Sequence, residues 1–140
     1  MNIKKIPPRV ELTIPVLQDM ELAATNTAEV VAKHMQLSEE KTAEISMALI
    51  EATINAFEHS QAETSNVEIH FIIEGDMLVI KVTDQGQGFD KSKVEIPNIE
   101  NKLSSEYKRG WGLKLIEELM DTVEFESTKD GTTVTMTKKR

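Results

Sequence analysis

The sequence predicts an α+β protein, a two-layer α/β sandwich whose mixed, mostly antiparallel sheet carries helices on one face. Three observations predict it. Alternating apolar runs come as two hairpin pairs, two helical stretches follow one another after the first strand, and βαβ units are few. The length of 140 residues, 39% of them hydrophobic, suits one domain with a core and not two sizeable ones. Aromatic residues make up only 4%, so Leu, Ile, Val, Met and Ala must fill that core. The expected organisation is a short tail over 1–8 and a single domain over 9–140.

Arg9 to Ile14 alternates, with Val10, Leu12 and Ile14 on one side, and reads as a strand that Pro15 ends. A helix is expected from about Leu17 to Met35, where Met20, Ala23/Ala24, Thr27, Val30/Val31 and His34 recur at helical spacing. Gln36 and Leu37 form the break. Ser38 is placed to cap a second helix, and Glu39 and Glu40 suit its first turn, where the helix dipole favours negative charge. That helix runs to about His59 and buries Ile45, Ala48/Leu49, Ala52 and Ala56. Asn66 to Glu74 and Met77 to Thr83 read as a hairpin around Gly75-Asp76. Asp84 to about Arg109 is polar and glycine-containing, and a connection this long in a small domain usually carries function. A helix is expected over Leu113 to Met120, then strands over Val123 to Glu126 and Thr132 to Thr137 around the turn Lys129-Asp130-Gly131.

Composition removes several classes of function. With 16 Lys and Arg against 24 Asp and Glu, the net charge is −8, which argues against direct nucleic-acid binding through a general basic field. The absence of cysteine removes disulfides, cysteine zinc sites and a cysteine nucleophile. No apolar run approaches the roughly 20 residues of a bilayer span, and no hydrophobic segment follows Lys4 and Lys5, so a cytoplasmic protein without membrane contact is expected.

Four short patterns could carry chemistry. Glu51, Asn55 and His59 are spaced four apart, so they stack along one helix face beside the apolar stripe. A carboxylate and a carboxamide one turn apart can bind Mg²⁺ or hold a water, and the carboxylate can accept a proton from an attacking hydroxyl. Asp84-Gln85-Gly86-Gln87-Gly88-Phe89 ends a buried strand. Its Asp can accept from an exocyclic amine, and its glycines allow close backbone approach. It is neither a dinucleotide fingerprint nor a Walker A loop, lacking the βαβ frame of the first and the GK[ST] of the second. Gly110-Trp111-Gly112-Leu113 opens a helix, whose free N–H groups can hold an anion, with Lys108 and Arg109 just before it. Thr132, after Gly131, can support a bound base with its hydroxyl. Each pattern alone also fits a structural role: a solvated helix face, a glycine-rich turn, a helix entry, a turn before a strand.

Their order is more specific than any one of them. E-x-x-x-N-A-x-x-H at Glu51 to His59, D-x-G-x-G-F at Asp84 to Phe89, G-x-G-L at Gly110 to Leu113 and G-T at Gly131-Thr132 resemble the N box, the two glycine boxes and the last nucleotide-contacting element of the GHKL (Bergerat-fold) ATPase superfamily. Within it, ELTIP, LSEEKTAEISMALIEATINAFEHS and GWGLKLIEELMDTVEF look like the anti-sigma factor serine/threonine kinases of bacterial partner-switching systems.

The resemblance implies a protein kinase using ATP and Mg²⁺. Glu51 would be the general base and Asn55 the Mg²⁺ ligand. Asp84 would read the adenine amine, with Gly86, Gly88 and Thr132 around it. Lys108, Arg109, Gly110, Gly112 and Leu113 would hold the phosphates beneath a lid over about 90–109, and His59 would have a supporting role. Implied partners are an anti-sigma factor antagonist of STAS type as substrate, a sigma factor or equivalent regulator, and a second copy in a homodimer. Trp111 between the glycines and a lid without a matching motif motivate an alternative, a catalytically weak, ATP-responsive partner-binding switch. A histidine-kinase role finds no support, because His34, His59 and His70 lack a phosphoacceptor setting.

Overall fold

The computed structural model of the chain describes residues 6–59, 66–84, 112–128 and 131–140. Strand β1 (Arg9–Pro15) and helices α1 (Glu21–His34) and α2 (Glu39–His59) come first, then the hairpin of β2 (Asn66–Glu74) and β3 (Met77–Asp84). A helix over 112–119, α3, leads to a second hairpin, β4 (Thr122–Thr128) and β5 (Gly131–Lys139).

The sheet order is β1-β2-β3-β5-β4. The expected mixed sheet is antiparallel at every described pairing, because both hairpins pair with themselves and β5 enters beside β3 in the opposite direction. β5 is longer than expected because it is paired on both sides, reaching Met77↔Lys139 along β3. β3 likewise runs one residue further, so that Asp84 belongs to the strand and pairs with Val67 and Thr132.

Alternation decides which face is covered. Val67, Ile69 and Phe71 of β2, Ile80 and Val82 of β3, and Met136 of β5 turn to one face, where they bury against Ile45, Ala48, Leu49 and Ala52 of α2. Glu68, His70, Lys81, Thr83, Thr133 and Thr135 occupy the other face. The result is two layers around one apolar core.

The helix ends follow from local chemistry. α1 begins at Glu21, four residues later than expected: Leu17 and Met20 make turn hydrogen bonds and Asp19 sits at φ 70°, so the helix cannot start before it. At its other end Gln36 takes φ 59°. The Leu37 N–H donates to Ala32 O and that of Gln36 to Lys33 O, both at 3.0 Å, which is a Schellman closure. Ser38 caps α2 as expected, its Oγ accepting from the Lys41 N–H at 3.1 Å. Among the described residues no helix is long and apolar enough to cross a membrane.

Candidate functional site

The site forms where α2, α3 and one end of the sheet meet. The last full row across the sheet is Ile14–Val67–Asp84–Thr132–Ser127, all on the helix side. Asp84 is only 4% exposed. Its Oδ1 accepts from the Thr132 N–H at 3.3 Å, which aims the carboxylate along the sheet end. Thr132 Oγ1 in turn lies 3.4 Å from Ser127 Oγ on β4. Gly131 allows this arrangement twice over. It adopts φ 146°, which side chains disfavour, and a Cβ there would collide with the backbone oxygen of Asp84.

The second half of the site lies on the helices. Glu51 and Asn55 are half-buried on α2, one turn apart. Gly112, buried at the start of the described part of α3, packs directly against them: a Cβ added to it would stand 2.7 Å from Glu51 Oε1 and 2.9 Å from Asn55 Nδ2.

A cleft joins the two halves. Ala52, Ala56, Val82, Leu113, Phe125 and Val134 give it apolar walls, with Asn55, Asp84 and Thr132 as its polar lining. Apolar walls with one carboxylate suit a flat aromatic base carrying an N–H donor. Among the described residues no three His, Asp or Glu side chains gather as a metal site. An Mg²⁺ ion here would take Asn55 together with oxygens supplied by its ligand.

Of the residues singled out from the sequence, the structure brings Glu51, Asn55 and Gly112 together, and places Asn55, Asp84, Leu113 and Thr132 around one cleft. Gly86, Gly88, Lys108, Arg109, Gly110, Trp111 and the lid expected over 90–109 lie outside the described residues, as does the side chain of His59. Sequence reasoning missed Phe125, Ser127 and the four small apolar wall residues. Phe125 had one available signal: it shares the inward parity of Val123 in an alternating strand.

The fold and the site define a nucleotide-binding module of the kind found in histidine kinases. The family model described as "Histidine kinase-like ATPase domain" matches residues 14–138. Serine-protein kinase RsbW of Halalkalibacterium halodurans is 30% identical over 136 residues, 94% of this chain and 83% of that protein. The RsbW of Oceanobacillus iheyensis is 31% identical over 120 residues, covering 81% of this chain and 76% of its own length. The chain belongs to the histidine kinase-like ATPase domain family and, within it, to the RsbW-type anti-sigma factor serine/threonine kinases. Solved structures agree on the fold. The RsbU and RsbW domains of a Mycobacterium tuberculosis protein align at TM-score 0.71 and 20% identity, covering 94% of this chain and 32% of that one. The SiaB–SiaC complex of Pseudomonas aeruginosa aligns at TM-score 0.65 and 11% identity, covering 91% and 88%.

Proposed function

We propose that the chain transfers the γ-phosphoryl group of Mg-ATP to a Ser or Thr hydroxyl of a STAS-type anti-sigma factor antagonist, and that its alternate partner is a sigma factor or equivalent regulator. The observation that carries the reading is the seat of Gly112 against Glu51 and Asn55, which sets a candidate base, a candidate metal ligand and a candidate phosphate-holding glycine within one contact. The adenine would lie in the apolar cleft, its amine donating to Asp84, with Thr132 beside it. Gly86 and Gly88 would shape that adenine pocket, and Lys108, Arg109, Gly110, Gly112 and Leu113 would hold the phosphates. Mg²⁺ on Asn55 would neutralise phosphate charge, the chemistry a phosphoryl transfer needs most. The Glu51 carboxylate takes the proton of the substrate hydroxyl, whose oxygen bonds to the γ-phosphorus as ADP leaves. The local positive charge answers the repulsion that a −8 domain would offer a polyanion. The functional unit in this reading is a homodimer in the cytoplasm.

The test is transfer of labelled phosphate from Mg-ATP to a cognate antagonist protein. Wild-type protein should label a Ser or Thr on it. E51Q should bind ATP but transfer it about 10²–10⁴-fold more slowly. ATP binding without transfer by the wild type would instead favour a non-catalytic switch, and equal rates for E51Q would remove Glu51 as the base.

A further inference from the structure

Lys138 is the most deeply buried cationic side chain among the described residues, and it takes no part in the proposed transfer. It lies on β5 with its side chain 7% exposed, in a domain rich in negative charge. Its Nζ donates to Glu44 Oε2 on α2 at 2.7 Å and to Leu119 O at the last turn of α3 at 2.5 Å. Leu119 O is one of the carbonyls that a helix end leaves without an intrahelical partner, so a cation there meets both a free acceptor and the negative end of the dipole. The turn that follows is fastened to the same strand. The Asp121 N–H donates to Thr137 O at 2.9 Å, and the Lys139 N–H to Asp121 Oδ2 at 2.6 Å.

These contacts fix α3 at Gly112 and at Leu119 against α2. Leu119 is tied through Lys138 to Glu44, while Gly112 abuts Glu51 and Asn55, so the two helices run antiparallel. The eight residues 112–119 span about 12 Å. A helical stretch this short transmits a displacement of Leu119 to Gly112 without bending. Buried ion pairs contribute little net stability relative to apolar replacements, so stability alone is a weak reason for burying a lysine here.

We propose that Lys138 is a positioning residue. By clamping Leu119, at the C-terminal end of α3, to α2, it sets how far α3 slides along α2, and so where Gly112 stands relative to Glu51 and Asn55. This rests on reading Gly112 as part of the phosphate site. The clamp acts on ligands through their phosphates and leaves the base end, built on β3 and β5, as it is.

The experiment is calorimetric titration of the wild type, K138M and the double variant E44L/K138M with Mg-ATP and with adenosine, alongside thermal melting. The double variant replaces the pair by apolar side chains of similar length, and carries the test if K138M alone fails to fold. Both ATP affinities should fall about tenfold or more, the scale of a small misplacement in a site. Adenosine affinity should be unchanged, and the double variant should melt close to the wild type. ATP and adenosine weakening together, or neither weakening, would overturn the clamp. Wild-type protein binding ATP no more tightly than adenosine would overturn the phosphate-site reading, and the clamp with it.

Discussion

Two glycines press on the two halves of the site, and they press on different things. Gly131 meets the backbone oxygen of Asp84 at the end of the β3–β5 ladder, next to the last pair Asp84↔Thr132, at φ 146°. Gly112 meets the ends of two side chains, Glu51 Oε1 and Asn55 Nδ2. Backbone in a five-stranded sheet cannot yield without breaking cross-strand hydrogen bonds, whereas a carboxylate and a carboxamide can turn about their own bonds. The Asp84 end is therefore locked by the fold, and the Gly112 end is held by side-chain fit. Fold and chemistry should accordingly separate under mutation.

The largest effect is expected from Gly131→Ala. The added methyl must displace either Asp84 or β5, and the residue must keep a positive φ, for a loss of about 3 kcal/mol of stability. Chemical denaturation reads this directly. Because the Thr132 N–H is one residue away, adenosine binding should weaken as well. A variant that melts like the wild type would show that the sheet end is not locked and break the contrast.

Gly112→Ala should come next, with the opposite pattern. Alanine suits a helix better than glycine, so melting should change little. The methyl would push Glu51 and Asn55 off their present positions, and transfer should fall about 10–100-fold. Kinetics with saturating Mg-ATP and antagonist separate this from a binding defect. A large loss of stability here would mean that α3 is as rigidly held as the sheet end.

A smaller effect is expected from Thr132→Val, which keeps the branched shape and the backbone N–H to Asp84 but removes the hydroxyl facing Ser127. Nucleotide affinity should fall by about 1 kcal/mol, with adenosine and ATP affected alike. An effect on ATP alone would place Thr132 with the phosphate end instead.

The contrast between the two glycines also marks what the sequence could reveal. Strand β2 and the hairpin turn at Gly75 were legible because period-two alternation is a local signal. The Ser38 cap was legible for the same reason. The start of α1 was not, because periodicity continues through Leu17 and Met20 while Asp19, at φ 70°, interrupts the backbone. Asn55, Asp84, Leu113 and Thr132 could be singled out as members of short patterns. Phe125 carried only its parity with Val123, and it lines the cleft because β5 inserts between β3 and β4. The role of Gly131 in holding Asp84 depends on a pairing across 48 residues between Thr132 and Asp84, which no local pattern encodes.

The smallest expected effect comes from Thr53→Val, and it tests whether α2 itself is a passive support. Thr53 lies between Glu51 and Asn55 in sequence but is fully buried, and its Oγ1 has no hydrogen-bond partner among the described residues. A helical threonine hydroxyl commonly bonds to the carbonyl four residues earlier, and here it does not. Replacing it by a methyl removes an unsatisfied buried group at nearly constant shape, so stability should rise by about 0.5 kcal/mol. Neither glycine contact involves this residue, so ATP affinity and transfer rate should stay at wild-type values in the same preparation. If transfer changes although Glu51, Asn55 and Gly112 are intact, the fit at the phosphate end is set by the packing of the whole α2 helix. The distinction between a locked half and a fitted half would then have to be redrawn between the sheet and both helices.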